Sequence, residues 1–223
     1  MKRYGPMSRH TRRLVWQLIA PLSFASVLDV GCGQGALLQE IARRRPHVAL
    51  AGVDLSTQAV ALAQQRLPQA RFCVLDISRG RLRHTFDLVL CTDVLEHIVD
   101  DQAALRNLHA MCRRWLVVST LQGRMRRFER HVGHVRNYRP GELRARLEAA
   151  GFAVRRQLDW GFPLYSPLYR DLLEHVPPAA TMGRFGVRQR LLAAALYALF
   201  FLNAPVFGDY VVCLAEAVAP AGC

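Results

Sequence analysis

The chain has 223 residues, 52% of them hydrophobic, which is material for a sizeable core. Its formal net charge of +13 rests almost wholly on arginine, with Lys2 the only lysine. That balance favours anionic substrates, anionic membrane surfaces or nucleic acid. The length predicts a single domain over 1–223, with an N-terminal helical segment over 1–24 and an apolar helical insertion over 160–207. Six cysteines (Cys32, Cys73, Cys91, Cys112, Cys213 and Cys223) form no C-x-x-C pair and no framework spacing. They read as reduced, mostly buried thiols, and the expected location is cytoplasmic. The basic N-terminus lacks an apolar run and a cleavage site, so no signal peptide is expected.

Residues 8–20 alternate basic and apolar positions at helical spacing and stop at Pro21. Residues 25–30 form the first predicted strand, followed by DVGCGQG and a helix over 35–45 that ends at Pro46. A strand that turns on glycines into a helix is a nucleotide-binding device. The order here is D-x-G-x-G-x-G, not the G-x-G-x-x-G of dinucleotide enzymes. With Asp29 before the turn, the loop suits a cationic, phosphate-free ligand.

A second strand over 48–53 ends in Asp54, and Ser56 caps a helix reaching Leu67. Strands follow over 71–75, 86–91 and 115–119, with a helix over 101–113 between the last two. This alternation predicts a parallel sheet with helices on both faces. Residues 122–140 read as a long basic loop. Then come a helix over 141–150, a strand over 152–158, the insertion with an apolar helix over 187–202, and a last strand over 208–218.

DVGCGQG after the first strand, with an acidic residue ending the second, resembles the class I S-adenosylmethionine-dependent methyltransferases. LVLCTDVLEHI over 88–98 and RNYRPGELRARLEAAGF over 136–152 resemble their small-molecule (type 11, ubiquinone-biosynthesis-like) subgroup. STLQGR followed by a basic loop and P-x-E-L resembles the ubiquinone-biosynthesis O-methyltransferases in particular. The resemblance implies a Rossmann-like, doubly wound seven-stranded α/β sheet with an antiparallel last strand. It also implies S-adenosylmethionine as cofactor and a small or lipid-linked acceptor, methylated at oxygen. Gly31 and Gly33 would lie under the methionine part, where a Cβ would collide with it, and Asp29 near the amino group. Asp54, with Leu55 beside it, would accept the ribose hydroxyls. Asp76 and Ile77 would read the adenine, and Asp93 would complete the cofactor contacts.

A protein that delivers an activated methyl must align the nucleophile and, for a hydroxyl, supply a base. Candidates for catalysis are His97, His131 and His134. His97 equally reads as a packing residue, whereas His131 and His134 sit in a segment without apolar periodicity. Arg127, Arg130 and Arg136, with Tyr138, are candidate acceptor contacts, the arginines clamping an anionic group. The alternative is a solvated charged loop. No metal is expected, because no carboxylate or cysteine stands at ligand spacing from the histidines.

Residues 191–202 are too short to span a bilayer. They read either as a buried lid or, with Arg184, Arg188 and Arg190 at the helix start, as an interfacial contact with anionic membrane. MCRRW replaces the proline-glycine-glycine turn usual before strand five. Absence of N-P-P-Y, D-P-P-Y and a proline-cysteine pair after strand four argues against adenine-N6, glutamine and 5-methylcytosine chemistry. No appendage of interleaved aromatics and lysines supports nucleic acid. The competing functional class is a cofactor-binding regulatory or assembly partner at a membrane or in a complex; an RNA methyltransferase stands behind it.

Overall fold

The structure is a computed structural model that describes residues 5–176, 186–204 and 207–218. Seven strands form one sheet in the order β3-β2-β1-β4-β5-β7-β6. They are β1 (Ser26–Val30), β2 (Ala49–Asp54), β3 (Arg71–Val74), β4 (Phe86–Thr92), β5 (Cys112–Leu121), β6 (Phe152–Trp160) and β7 (Tyr210–Ala217). All neighbours run parallel except β7, which lies antiparallel between β5 and β6. The helices are α1 (Pro6–Ile19), α2 (Ala36–Arg44), α3 (Thr57–Arg66), α4 (Asp101–Met111), α5 (Arg127–His131), α6 (Glu142–Ala149) and α7 (Val187–Leu199). Three short helical segments fill 164–175, and a further turn, Phe200–Leu202, follows α7. The order realises the expected doubly wound sheet with its antiparallel last strand.

Strand alternation splits the core in two. Val27, Leu88, Leu90 and Val117 face α1, α2 and the insertion, where Leu14, Leu18, Leu38, Ile41 and Trp160 pack with them. Leu28, Val89, Leu116 and Val118 face the other way, onto Leu105 and Leu108 of α4 and Leu143 and Leu147 of α6. Cys32, Cys91, Cys112 and Cys213 are buried free thiols, whereas Cys73 is exposed on the edge strand β3. Burial pushes Cys112 and Cys213 up to about 12, so neither is a nucleophile near neutrality. Cys223 and Arg184 lie outside the described residues.

Several boundaries differ from expectation. β5 begins at Cys112, three residues before the predicted start. The register Phe86↔Cys112 followed by Leu88↔Trp115 explains this: a bulge accommodates Arg113 and Arg114 without ending the strand. Residues 127–131 are helical although read as loop; the Glu129 side chain accepts from the Arg126 N–H at 2.9 Å and nucleates the turn. α7 is not a buried lid. Of its residues Ala193 is buried, while Leu191 and Leu192 are exposed.

α1 closes one face by an unusual polar contact. His10 is fully buried, stacked on Trp160 with ring centroids 4.7 Å apart. Its Nδ1 accepts from Arg13 Nε at 3.1 Å and its Nε2 lies 3.0 Å from the Tyr197 carbonyl, which fixes the neutral tautomer. Burial and the Arg13 and Arg9 charges lower its pKa from 6.5 to about 4. Between those two values the unfolded chain binds a proton that the folded one does not, so stability falls as pH drops through that window. Thermal unfolding followed from pH 7.5 to 4 is expected to show this fall, and His10→Gln to flatten it.

Candidate active site

The turn after β1 needs glycine for conformation and for space. Gly31, Gly33 and Gly35 have φ of +72°, +53° and +74°. The Gly31 and Cys32 N–H groups both donate to the Val53 carbonyl, at 2.8 and 3.0 Å. Gly33 N–H donates to Asp54 Oδ2 at 2.8 Å, and Ser56 N–H to Oδ1 at 2.9 Å. The carboxylate at the tip of β2 thus closes the glycine turn, and each oxygen keeps a lone pair for a further donor. A Cβ on Gly31 would stand 2.3 Å from Val94 Cγ2. Val94, from the turn after β4, thus excludes a side chain at Gly31 on its own, independently of the cofactor contact expected there.

Asp29, buried at the end of β1, lines a cavity of about 60 Å³ together with Gly31, Cys32, Thr92, Asp93 and residues of α1. In the sheet, β2 and then β3 follow β1 outward and run parallel to it, so their tips lie at the same end. Leu55, next to Asp54, is 70% exposed, an apolar side chain left in solvent. Asp76 turns back on its own chain, where Oδ1 accepts from the Ser78 N–H (2.9 Å) and hydroxyl (2.6 Å). Those bonds, with Arg79 nearby, hold it below the usual carboxylate range. Ile77 is buried, and its carbonyl accepts from Asn107 Nδ2 at 2.8 Å. Two carboxylates around a small cavity, a glycine turn and an exposed apolar platform by a third carboxylate fit an amino-acid-bearing nucleoside.

Asp93 has φ +55°, uncommon for a non-glycine residue. Its Oδ1 accepts from Tyr210 Oη at 2.7 Å and from Ser119 Oγ at 3.2 Å. It also borders a second, larger cavity of about 440 Å³. Met7, Leu121, Phe128, Val132, Leu192 and Leu196 give that cavity apolar walls, and Glu96, His97, Glu129, His134 and Arg170 its polar groups.

His97 and His134 meet edge to face, ring centroids 4.7 Å apart. His97 Nδ1 lies 3.0 Å from the Gly133 carbonyl, so it donates there and leaves Nε2 as the acceptor. His134 Nδ1 faces Asn137 Oδ1 at 3.4 Å. Asn137 Nδ2 in turn donates to Glu129 Oε2 at 2.8 Å, while Arg170 Nε donates to Glu129 Oε1 at 2.7 Å. Burial, then the His97 charge, lower the His134 pKa below 6.5, so its ring is neutral near pH 7. Glu96 is buried and accepts from Thr120 Oγ1 at 2.9 Å. One ligand atom from each of Glu96, His97 and His134 lies within 4.8 Å of the others. The fold thereby supplies the carboxylate whose absence along the chain was the reason to expect no metal.

Other expected site residues fall elsewhere. His131, Arg127 and Arg130 are exposed and do not line the cavity. They lie on the outer face of α5, whose inner face gives Phe128 and Glu129. Tyr138 is buried and donates to Asp101 Oδ2 at 2.8 Å, and Arg136 pairs with the same oxygen at 2.8 Å. Both tie the segment to α4 instead of facing an acceptor. Among the described residues the arginine that lines the cavity is Arg170, bound to Glu129 and Asp209. Sequence reading missed it, together with Tyr165, Tyr169 and Tyr210; the available signal was an arginine set within an aromatic stretch, YSPLYR.

A strand-ordered sheet of this topology, carrying this glycine turn and acidic β2 tip, defines a class I S-adenosylmethionine-dependent methyltransferase. Residues 5–157 match the methyltransferase domain, and the chain belongs to that family. A ubiquinone biosynthesis O-methyltransferase of Ralstonia nicotianae is 36% identical over 101 residues, covering 42% of this chain and 42% of that protein. The chain thus spans under half the length of that curated relative. Among solved structures, the [4+2]-cyclase SpnF superposes with TM-score 0.65 at 20% identity, over 96% of this chain and 82% of that one. Magnesium protoporphyrin IX methyltransferase of Synechocystis, solved with bound S-adenosylmethionine, gives 0.59 at 19%, over 95% and 82%. At those identities the likeness is one of fold.

Gly31→Ala is expected to destabilise the chain by about 2 kcal/mol or more, from left-handed strain and overpacking together. Val94→Ala in the same chain should restore part of that loss in chemical denaturation, and the φ-derived part should persist.

Proposed function

We propose that the chain transfers the methyl group of S-adenosylmethionine to an oxygen of a small or lipid-linked acceptor held in the larger cavity. The observation that carries this reading is that Asp93 borders both cavities. A donor on one side and an acceptor on the other would meet there, as an in-line displacement requires. When bound, the cofactor supplies a methyl activated by its sulfonium. The chain's own residues then bind, orient and exclude water.

In this reading Asp29 and Asp93 attract the amino group, Gly31 and Gly33 keep the turn low, and Asp54 accepts the ribose hydroxyls. Leu55 and Ile77 flank the base, with Asp76 next to it. His134, kept neutral by burial, or His97 through Nε2, takes the proton of the acceptor hydroxyl as its oxygen attacks. The apolar walls favour an apolar acceptor body. Among the described residues the cavity offers Asp93, Glu96 and Glu129 against one arginine, itself engaged by Glu129 and Asp209. That balance favours a neutral acceptor over the anionic one read from the arginine-rich loop. The curated O-methyltransferase relatives support oxygen as the methylated atom.

Incubation with methyl-labelled S-adenosylmethionine and a panel of phenols and catechols is expected to yield methyl ethers by mass spectrometry. Label recovered on nitrogen, or in nucleic acid from a cell extract, would sink this reading. Asp54→Ala should weaken S-adenosylhomocysteine binding at least about tenfold in calorimetry, through loss of charge-assisted hydrogen bonds. His134→Gln should lower kcat by about 10²-fold. In the unsubstituted enzyme turnover should rise with pH through the lowered histidine pKa, placing the acid limb below pH 6.5.

A further inference from the structure

The helix α7 has two unlike faces. Gln189, Leu192, Ala193 and Leu196 border the larger cavity, and Tyr197 packs against α1. The opposite face, at i, i+4, i+8 spacing, carries Val187, Leu191 and Ala195, continued by Ala198, Leu199 and Leu202. Ordinary amphipathic logic would make that face polar. Instead Leu191 is 66% and Leu202 72% exposed, and Val187, Leu199 and Phe201 are exposed with them. This is a contiguous apolar surface of the kind that marks an interaction site.

Charge around the surface selects the partner. Arg188 and Arg190, both exposed, sit on either flank of the apolar face at its N-terminal end. From α1, the Arg9 guanidinium lies 3.5 Å above the Tyr197 ring and that of Arg13 4.9 Å above Phe201. Neither 186–204 nor 5–20 contains an aspartate or glutamate. Among the described residues no helix is long and apolar enough to cross a membrane. Thirteen residues of α7 reach roughly 20 Å at 1.5 Å per residue, against about 30 Å of hydrocarbon. An apolar face rimmed by arginine and free of acids, on a helix too short to span, is the pattern of an interfacial helix.

We propose that α7 and the turn Phe200–Leu202 form a docking surface for anionic lipid bilayer, with the helix lying in the plane of the interface. Leu191, Leu199, Phe201 and Leu202 enter the acyl boundary while Arg188, Arg190, Arg9 and Arg13 meet lipid phosphates. Leu192 belongs both to the exposed surface and to the cavity wall, so the docked face adjoins the cavity rim. The proposal stands on the surface itself and does not depend on the atom methylated.

Co-sedimentation of the full chain with vesicles tests it, using phosphatidylcholine alone and phosphatidylcholine mixed with phosphatidylglycerol. Binding is expected to the mixed vesicles, to weaken severalfold in high salt, and to drop at least about tenfold in Leu191→Glu or Leu202→Glu. Thermal unfolding of these variants checks that they fold, since both side chains are exposed. Arg188→Glu should lower binding to mixed vesicles with no such effect on phosphatidylcholine. No binding to either vesicle, or binding that Leu191→Glu and Leu202→Glu leave unchanged, overturns the proposal. So does a concentration-dependent dimer broken by Leu191→Glu in a protein that ignores vesicles, which would make the occupant a second copy of the chain.

Discussion

Two turns of the sheet are cast against each other, and the site depends on that contact. The pairing Val30↔Cys91 brings the end of β1 level with the end of β4, so the next residues of both strands must share the same space. Gly31 gives up its side chain to admit Val94, and Asp93 accepts a left-handed backbone to turn Val94 inward. Val53 fastens the arrangement from β2 by accepting from two successive amides of the glycine turn. Strain of this sort survives where the surrounding structure over-determines it. Its result is that Asp93 stands at the common edge of two cavities.

A second, polar framework positions the histidines. Arg170 holds Glu129 on α5, Glu129 holds Asn137, and Asn137 faces His134. Around it Arg126 pairs with Asp171, and Asp209 accepts from Arg170 and from the Ser166 hydroxyl. Buried ion pairs contribute little net stability once desolvation is counted, yet breaking one is costly, so they favour one arrangement over its competitors. Here they bind a basic segment and a distant aromatic one into a single wall. Part of the chain's large positive charge is therefore neutralised inside the fold.

The sheet was legible because its signals are local: apolar runs of strand length, glycine turns, a capping serine and prolines that stop helices. Asp29, Asp54 and Asp76 could be located for the same reason, each ending a strand. Residues 122–140 were harder. Their arginines and histidines look alike in sequence, and which of them turn inward is decided by partners far along the chain. Asp101 claims Arg136 and Tyr138, while α5 turns Phe128 and Glu129 inward and leaves Arg127 and Arg130 exposed. Arg170 and Tyr210 lie outside every quoted motif, and Glu96 lies inside LVLCTDVLEHI with nothing there to mark its partner; their roles exist only once α5, β4 and β7 converge. The bulge at Arg113 and Arg114 was hidden because charged residues at a strand entrance resemble a loop.

The N-terminal helix is a wall of both cavities. Ser8 borders each of them, and Thr11 Oγ1 lies 2.7 Å from the Tyr210 hydroxyl that binds Asp93. A shared wall is a thermodynamic link. If the first ligand restricts the motion of α1, it bears the conformational entropy of doing so, and the second meets a helix already restricted. Donor and acceptor would then bind with positive cooperativity beyond any contact between them, and by reciprocity each would raise the other's affinity by the same factor.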